Sequence, residues 1–258
     1  MSKVIAIANQ KGGVGKTTTA ISLASALAKQ GKKILLVDLD AQASMTVALG
    51  QKDTESLQHT TATLMAAAIN EDMIIAKDYI LCKDGIDFIP SNILLSGIEM
   101  SLVNTISRES ILREALTSFT GLYDYILIDC MPSLGIITIN ALVAANSIII
   151  PVQAHFLGAK GLEDFSKTLK KVKRINPELY VEGILITMFN KQLTFSRGVV
   201  EVIKKTYGSN IRIFDAMIPI SVKAVETTAM GKSIIDYSPN NPVSISYQNL
   251  AEELMNRG

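Results

Sequence analysis

The chain has 258 residues, of which 48% are apolar and only 5% aromatic, with no tryptophan. That length suits one large α/β domain or two small ones, and the composition excludes a ring-based core in favour of Ile, Leu, Val, Ala and Met. Formal net charge is only +1, yet residues 1–150 carry 11 basic and 14 acidic side chains and residues 151–258 carry 14 and 10, so the C-terminal half leans towards an anionic partner.

Residues 3–8 open the chain as a strand with no apolar leader before it, and the expectation is a cytoplasmic protein. The strand runs into Lys11-Gly12-Gly13-Val14-Gly15-Lys16-Thr17-Thr18 and then into a helical pattern over residues 16–30, ended by Gly31. Strand, glycine-rich turn and helix are the context that a phosphate-binding loop requires. Gly12, Gly13 and Gly15 let successive N–H groups turn inward, and the helix N-terminus adds its positive dipole end. Lys16 is then expected on the β and γ phosphates of ATP, the Thr17 hydroxyl on Mg²⁺, and Thr18 on the α phosphate.

A second strand, residues 33–38, ends at Asp38 and is followed closely by Asp40. Both carboxylates fall at the C-terminal edge of the sheet, where open α/β folds bind ligands, and paired acids there organise metal-bound or attacking water. Residues 51–83 carry the weakest pattern of the chain. A strand follows at residues 86–89, a helix at residues 107–119, and an apolar strand at residues 125–129 whose final Asp129 reads as a magnesium-holding carboxylate.

Residues 130–159 contain no formally charged side chain and are long enough to cross a bilayer. Pro132, Pro151, Asn140, Asn146 and Gln153 interrupt the stretch, which divides into a turn, a helix and a buried strand at residues 147–152. Leu162, Phe165, Leu169 and Val172 mark one face of the next helix, leaving Lys167, Lys170, Lys171, Lys173 and Arg174 on its wet side. Strands are expected at residues 181–187 and 211–218, and a packing helix at residues 247–258. These strands lack polar alternation, so they are predicted to be buried on both faces. The fold class is α/β, a three-layer P-loop NTPase with a mostly parallel twisted sheet and helices on both faces, with residues 1–258 as one domain.

The loop departs from the ordinary G-x-x-x-x-G-K-T pattern, because Gln10 stands where glycine belongs and Lys11 is added. The run resembles the deviant Walker A motif of the ParA/MinD class. Asn9 to Thr18, Val37-Asp38-Leu39-Asp40-Ala41-Gln42, Leu127-Ile128-Asp129-Cys130 with Pro132-Ser133, and Ile150-Pro151-Val152-Gln153 are similar to ParA/Soj partition ATPases, most closely to short members without an N-terminal helix-turn-helix. By that resemblance Lys11 reaches the nucleotide of the other subunit, Asp40 positions the hydrolytic water, and Asp38 and Asp129 belong to the metal environment. Asn190 and Pro219 match positions bordering the adenine, and Lys223 a basic position used on DNA. Where members often carry arginine after the proline, this chain has Ile220.

The resemblance implies a slow Mg²⁺-dependent ATPase, an ATP-sandwich homodimer, non-specific binding of double-stranded DNA at the nucleoid, and release by a ParB-type centromere-binding partner. DNA contacts are expected from Lys223, then from Arg197, Lys204 and Lys205 on the helix after Asn190. The alternative is a MinD-like or other cargo-positioning ATPase that does not act on DNA. No membrane contact is expected, because the C-terminal segment has a narrow apolar face of Leu250, Leu254 and Met255, interrupted by Glu252 and Glu253, with Arg257 as its cation. Cys82 and Cys130 match neither a disulfide framework nor a metal-ligand spacing and read as reduced, buried thiols.

Overall fold

In the computed structural model, which describes residues 2–155 and 165–256, the chain forms a seven-stranded sheet in the order β3-β4-β2-β5-β1-β6-β7. The strands are β1 (Lys3–Ile7), β2 (Ile34–Leu39), β3 (Leu81–Lys83), β4 (Ile86–Ile89), β5 (Tyr125–Cys130), β6 (Ser147–Gln153) and β7 (Tyr180–Thr187). All neighbours pair parallel except β3, which runs antiparallel to β4 on one edge.

The aliphatic runs are double-sided, as continuous apolar strands require. Along β1, Ala6 joins one core while Ile5 and Ile7 join the other; in β5, Ile126 and Ile128 face one core and Tyr125 and Leu127 the opposite one. The first core is covered by α3 (Thr61–Ile69), α4 (Leu95–Leu102), α5 (Ile111–Leu116), α6 (Ile136–Ala144), α7 (residues 165–172) and α8 (Thr194–Tyr207). The second is covered by α1 (Lys16–Lys29), α2 (Ser44–Ala48), α10 (Ile234–Tyr237) and α11 (Pro242–Met255), with α9 (Val222–Met230) on its rim. This is the expected three-layer α/β architecture.

The uncharged stretch splits as expected into a turn, α6 and β6, and no described helix is long and apolar enough to cross a membrane. The C-terminal helix starts at Pro242, with the Asn241 side chain accepting from the Val243 N–H. Tyr247, Leu250 and Leu254 are buried against α1, where the Tyr247 and Thr19 hydroxyls lie 3.1 Å apart. Phe165, Leu169 and Val172 are likewise buried on α7. Leu162 and Arg257 lie outside the described residues.

Several local expectations are corrected. The helix expected from residue 107 begins at Ile111, because Ser107 adopts a left-handed φ of 53° and the intervening residues form a turn. The unreadable stretch holds α3 and the short edge strand β3. Cys82, expected to be buried, is exposed on that edge, whereas Cys130 is buried.

Residues 211–218 run beside β7 but make only an isolated bridge, Ile184 to Ile213, with a further bridge at Phe189 to Pro219. The N–H groups of Phe214 and Ile218 reach the Ile184 and Ile186 carbonyls, but between them the Ala216 N–H donates to the Glu253 carboxylate at 2.7 Å, which interrupts the ladder; the Asp215 N–H and Arg212 donate to the same carboxylate at 3.1 and 2.8 Å. The Phe214 ring, fully buried, lies flat over Gly183, where an added Cβ would come within 2.6 Å of Cε2. Gly183→Ala is therefore expected to destabilise the protein by about 1–3 kcal/mol through overpacking, read as a lower denaturation midpoint in urea.

Candidate functional site

The glycine-rich turn leaves β1 at the C-terminal edge of the sheet and enters α1 at Lys16. Gly15, the N-cap, sits at φ 87° and Gly13 at φ 71°, backbone conformations that favour glycine. Two braces fix the turn against neighbouring strands. The Asn9 side chain donates to the Pro151 carbonyl at 2.7 Å and accepts from the Lys11 N–H at 3.0 Å, while the Thr187 hydroxyl donates to the Val14 carbonyl at 2.9 Å. The loop is thus held by β6 and β7 before any ligand arrives, which lowers the cost of ordering it.

A cleft of about 430 Å³ lies over this turn, lined by Gly12, Gly13, Gly15, Lys16, Thr17 and Thr18 on the loop side and Asp40 on the other. It meets an apolar cleft of about 370 Å³ that shares Gly15, Thr18 and Met188 and is walled by Ile218, Pro219 and Ala224. The first carries the glycine loop, Lys16 and two threonines at a helix N-terminus, which suit an anion, and the second is mostly apolar, a pair of surfaces that suits a nucleotide. Pro219 lines the apolar half. Asn190 lines neither cleft; its side-chain oxygen accepts from the Gln192 N–H in the turn before α8.

Lys16 is nearly buried, and its ammonium donates to the Lys11 carbonyl at 3.1 Å. Burial pulls its pKa below the usual lysine value, against the opposing pull of Asp129, Cys130 and Asp40. Lys11 itself is half-buried and does not line the cleft.

Asp38 and Asp129 are register partners on β2 and β5, and both are buried, at 0% and 1% exposure. Burial pushes Asp38 up to about 6, resisted by hydrogen bonds from Thr46 and the Asp40 backbone. It pushes Asp129 further, to about 8, with the Asp38 charge adding to the rise and Thr17 and Lys16 opposing it. Their surroundings differ. Asp38 has its Oδ2 taken by the Thr46 hydroxyl and N–H and its Oδ1 by the Asp40 N–H. Asp129 has a buried Oδ1 with no hydrogen-bond partner.

An unpartnered buried carboxylate oxygen beside a threonine hydroxyl is a hard-oxygen set that fits Mg²⁺. Thr17 and Asp129 are the residues that would hold it, and the ion would supply charge neutralisation at the phosphates. Asp40 stands on the cleft wall with its Oδ1 accepting from the Gln42 N–H at 2.9 Å, which leaves carboxylate capacity for a water.

The predicted DNA residues are spread over two elements. Arg197, Lys204 and Lys205 are exposed on α8 and Lys223 is exposed on α9, where its ammonium reaches the Ser238 hydroxyl at 3.4 Å. Sequence reasoning missed Thr46, Ser91, Thr187 and Met188. Of these only Met188, a non-glycine residue at φ 51° in the cleft wall, has an unusual backbone, and no spacing rule marks the others.

The family described as AAA domain matches residues 2–181. The chain is 41% identical to the sporulation initiation inhibitor protein Soj of Bacillus subtilis over the full length of both. It is 37% identical to the chromosome partitioning protein ParA of Caulobacter vibrioides, over 99% of this chain and 94% of that one. The chain belongs to the ParA/MinD class of deviant-Walker-A P-loop ATPases. Among solved structures, cobyrinic acid a,c-diamide synthase from Mycobacterium smegmatis, with an ATP analogue and magnesium bound, superposes with a TM-score of 0.86 at 33% identity, covering 100% of this chain and 96% of that one. Members of the class are ATP-binding and ATP-hydrolysing, Mg²⁺-dependent enzymes that include positioning and partition ATPases, and the cleft above has the parts for that chemistry.

Burial and the neighbouring Asp38 charge raise Asp129 to about 8, and a divalent cation requires the ionised carboxylate, so Mg-nucleotide binding is expected to release protons at roughly pH 7 and progressively fewer as the pH rises through 8. Calorimetry in two buffers of different ionisation enthalpy measures the number released, and equal heats at the lower pH count against the assignment.

Proposed function

We propose that this chain, residues 1–258 working as one unit, is an ATP-dependent DNA-partition ATPase. The observation that carries the reading is the full-length identity of 41% with Soj, joined by the 37% identity with a chromosome partitioning ParA. In this reading the glycine loop, Lys16 and Thr18 bind the triphosphate and Thr17 and Asp129 hold Mg²⁺, with Asp38 behind them. Pro219 and Asn190 border the adenine, and Asp40 orients the attacking water.

Lys11 reaches the nucleotide of a second copy. What supports this is its position one residue before the glycines, outside the residues that line the cleft. The ATP-bound homodimer binds duplex DNA without sequence preference through Lys223, Arg197, Lys204 and Lys205. A ParB-type partner stimulates hydrolysis and release, which makes the protein cytoplasmic and nucleoid-associated.

A specific observation favours a second reading, a cargo-positioning ATPase that does not act on DNA. The exposed side of α9 is largely apolar, with Val222 and Val225 each 74% exposed and Met230 59% exposed. Lys223 is accompanied there by Glu226, whose carboxylate accepts from the Tyr237 hydroxyl. Such a surface suits a protein partner better than a phosphate backbone.

Mixing Lys11→Ala with Asp40→Ala should restore hydrolysis at one of the two sites of a mixed dimer, each variant alone being nearly inactive. Phosphate release measured across mixing ratios tests this, and a flat baseline at every ratio argues against action in trans.

With ATP, filter binding to duplex DNA should give a log-affinity that falls linearly with log-salt. Lys223→Glu should weaken binding to all sequences alike and reduce the slope by about one for each lost phosphate contact, with ATP affinity retained. Undetectable or salt-independent binding with both ATP and ADP moves the assignment to the second reading.

A further inference from the structure

Asp40 sits on a turn without regular secondary structure, residues 40–43 between β2 and α2, and Ala43 there adopts a left-handed φ of 52°. Such a turn does not fix a side chain by itself, so its tethers decide where Asp40 points. One tether is local, from the Gln42 N–H to the Asp40 carboxylate. The other runs from the Asp40 N–H to Oδ1 of Asp38 at 3.2 Å, and therefore depends on what holds Asp38.

Asp38 is held by Thr46, the third residue of α2. The Thr46 hydroxyl has one proton, which it gives to Oδ2 of Asp38 at 2.6 Å, and its N–H donates to the same oxygen at 2.8 Å. The hydroxyl oxygen accepts in turn from the Ser91 N–H at 2.9 Å, just beyond β4. Thr46, Asp38 and Ser91 are all fully buried, so each of these bonds is made without competition from water. Thr61 fixes the same point from behind, its hydroxyl donating to the Asp38 carbonyl at 2.8 Å. The chain of bonds thus runs from the end of β4 through Thr46 and Asp38 to the backbone of Asp40. Thr46 does not line the nucleotide cleft.

We propose that Thr46 is a positioning residue for ATP hydrolysis, locking the buried Asp38 carboxylate so that the turn presents Asp40 in one orientation. The inference rests on the reading of Asp40 as the group that orients water. It also gives Asp38 a task that its full set of internal donors explains, distinct from the open oxygen of Asp129. Because the bonds lead to Asp40 and away from the glycine loop, losing the hydroxyl slows the chemical step and spares nucleotide binding.

The test uses the full chain with Mg-ATP, measuring kcat, KM, ATP affinity by calorimetry and thermal unfolding for Thr46→Val, Thr46→Ser and Asp40→Ala side by side. Valine keeps the shape and removes the hydroxyl. It should lower kcat by roughly ten- to a hundredfold while KM and ATP affinity stay within about twofold, and serine should restore the rate. A valine variant that melts earlier but turns over at the wild-type rate overturns the proposal, as does a serine variant as slow as valine. Should valine fail to fold, Thr46→Ala removes the hydroxyl with a smaller side chain. A lowered kcat at unchanged KM supports the proposal and a wild-type kcat overturns it. Wild-type hydrolysis by Asp40→Ala overturns the premise itself, whereas an inactive Asp40→Ala beside a fully active Thr46→Val overturns the Thr46 assignment alone.

Discussion

Two carboxylates, Asp38 and Asp129, stand side by side on adjacent parallel strands with almost no exposure to water. Burying one unpaired charge is costly and burying two of the same sign more so, which makes this pair the constraint around which the site is arranged. The fold resolves it asymmetrically. Asp38 is satisfied by protein donors from α2 and the turn behind it, and Asp129 keeps an open oxygen next to Lys16 and Thr17. One carboxylate has its oxygens taken by protein donors, and the other keeps one oxygen without a partner.

That division depends on the sheet. Parallel strands bring the ends of β1, β2 and β5 to one edge, so the glycine loop, Asp38, Asp40 and Asp129 converge although they are distant in sequence. Strands β6 and β7 complete the frame by bracing the loop through Asn9 and Thr187. On the far side of α1, helix α11 fills the second core with Tyr247, Leu250 and Leu254. The apolar face of that last helix is thus spent on packing, as a domain-packing helix requires.

The rim of the cleft joins the site to an exposed outer surface. Residues 218–225 form one wall of the apolar half and then continue into α9, whose outer side carries both exposed valines and Lys223. Small changes on α9 alter what the outer surface attracts without touching the phosphate cradle.

The sequence by itself determined the phosphate loop, the strand-end acids and the α/β class, because each is a local pattern: glycines at fixed spacing, an aliphatic run, a helix that follows at once. It was silent where a distant partner decides. Residues 211–218 have the composition of a strand, but Glu253, some forty residues away, takes the N–H of Ala216, which lies between the N–H groups of Phe214 and Ile218 that bond β7, and only an isolated bridge remains. Ser107 looks like a helix start, yet its backbone turns left-handed and delays α5 to Ile111. Cys82 was read as buried because thiols usually are, and it lies on an edge strand that nothing covers enough to hide it. The two aspartates after β2 look equivalent in sequence. Only the tertiary structure, by bringing Thr46 and Ser91 onto Asp38 and leaving Asp40 on the cleft wall, gave them different surroundings, since hydrogen bonds between segments depend on how the layers pack and not on spacing along the chain.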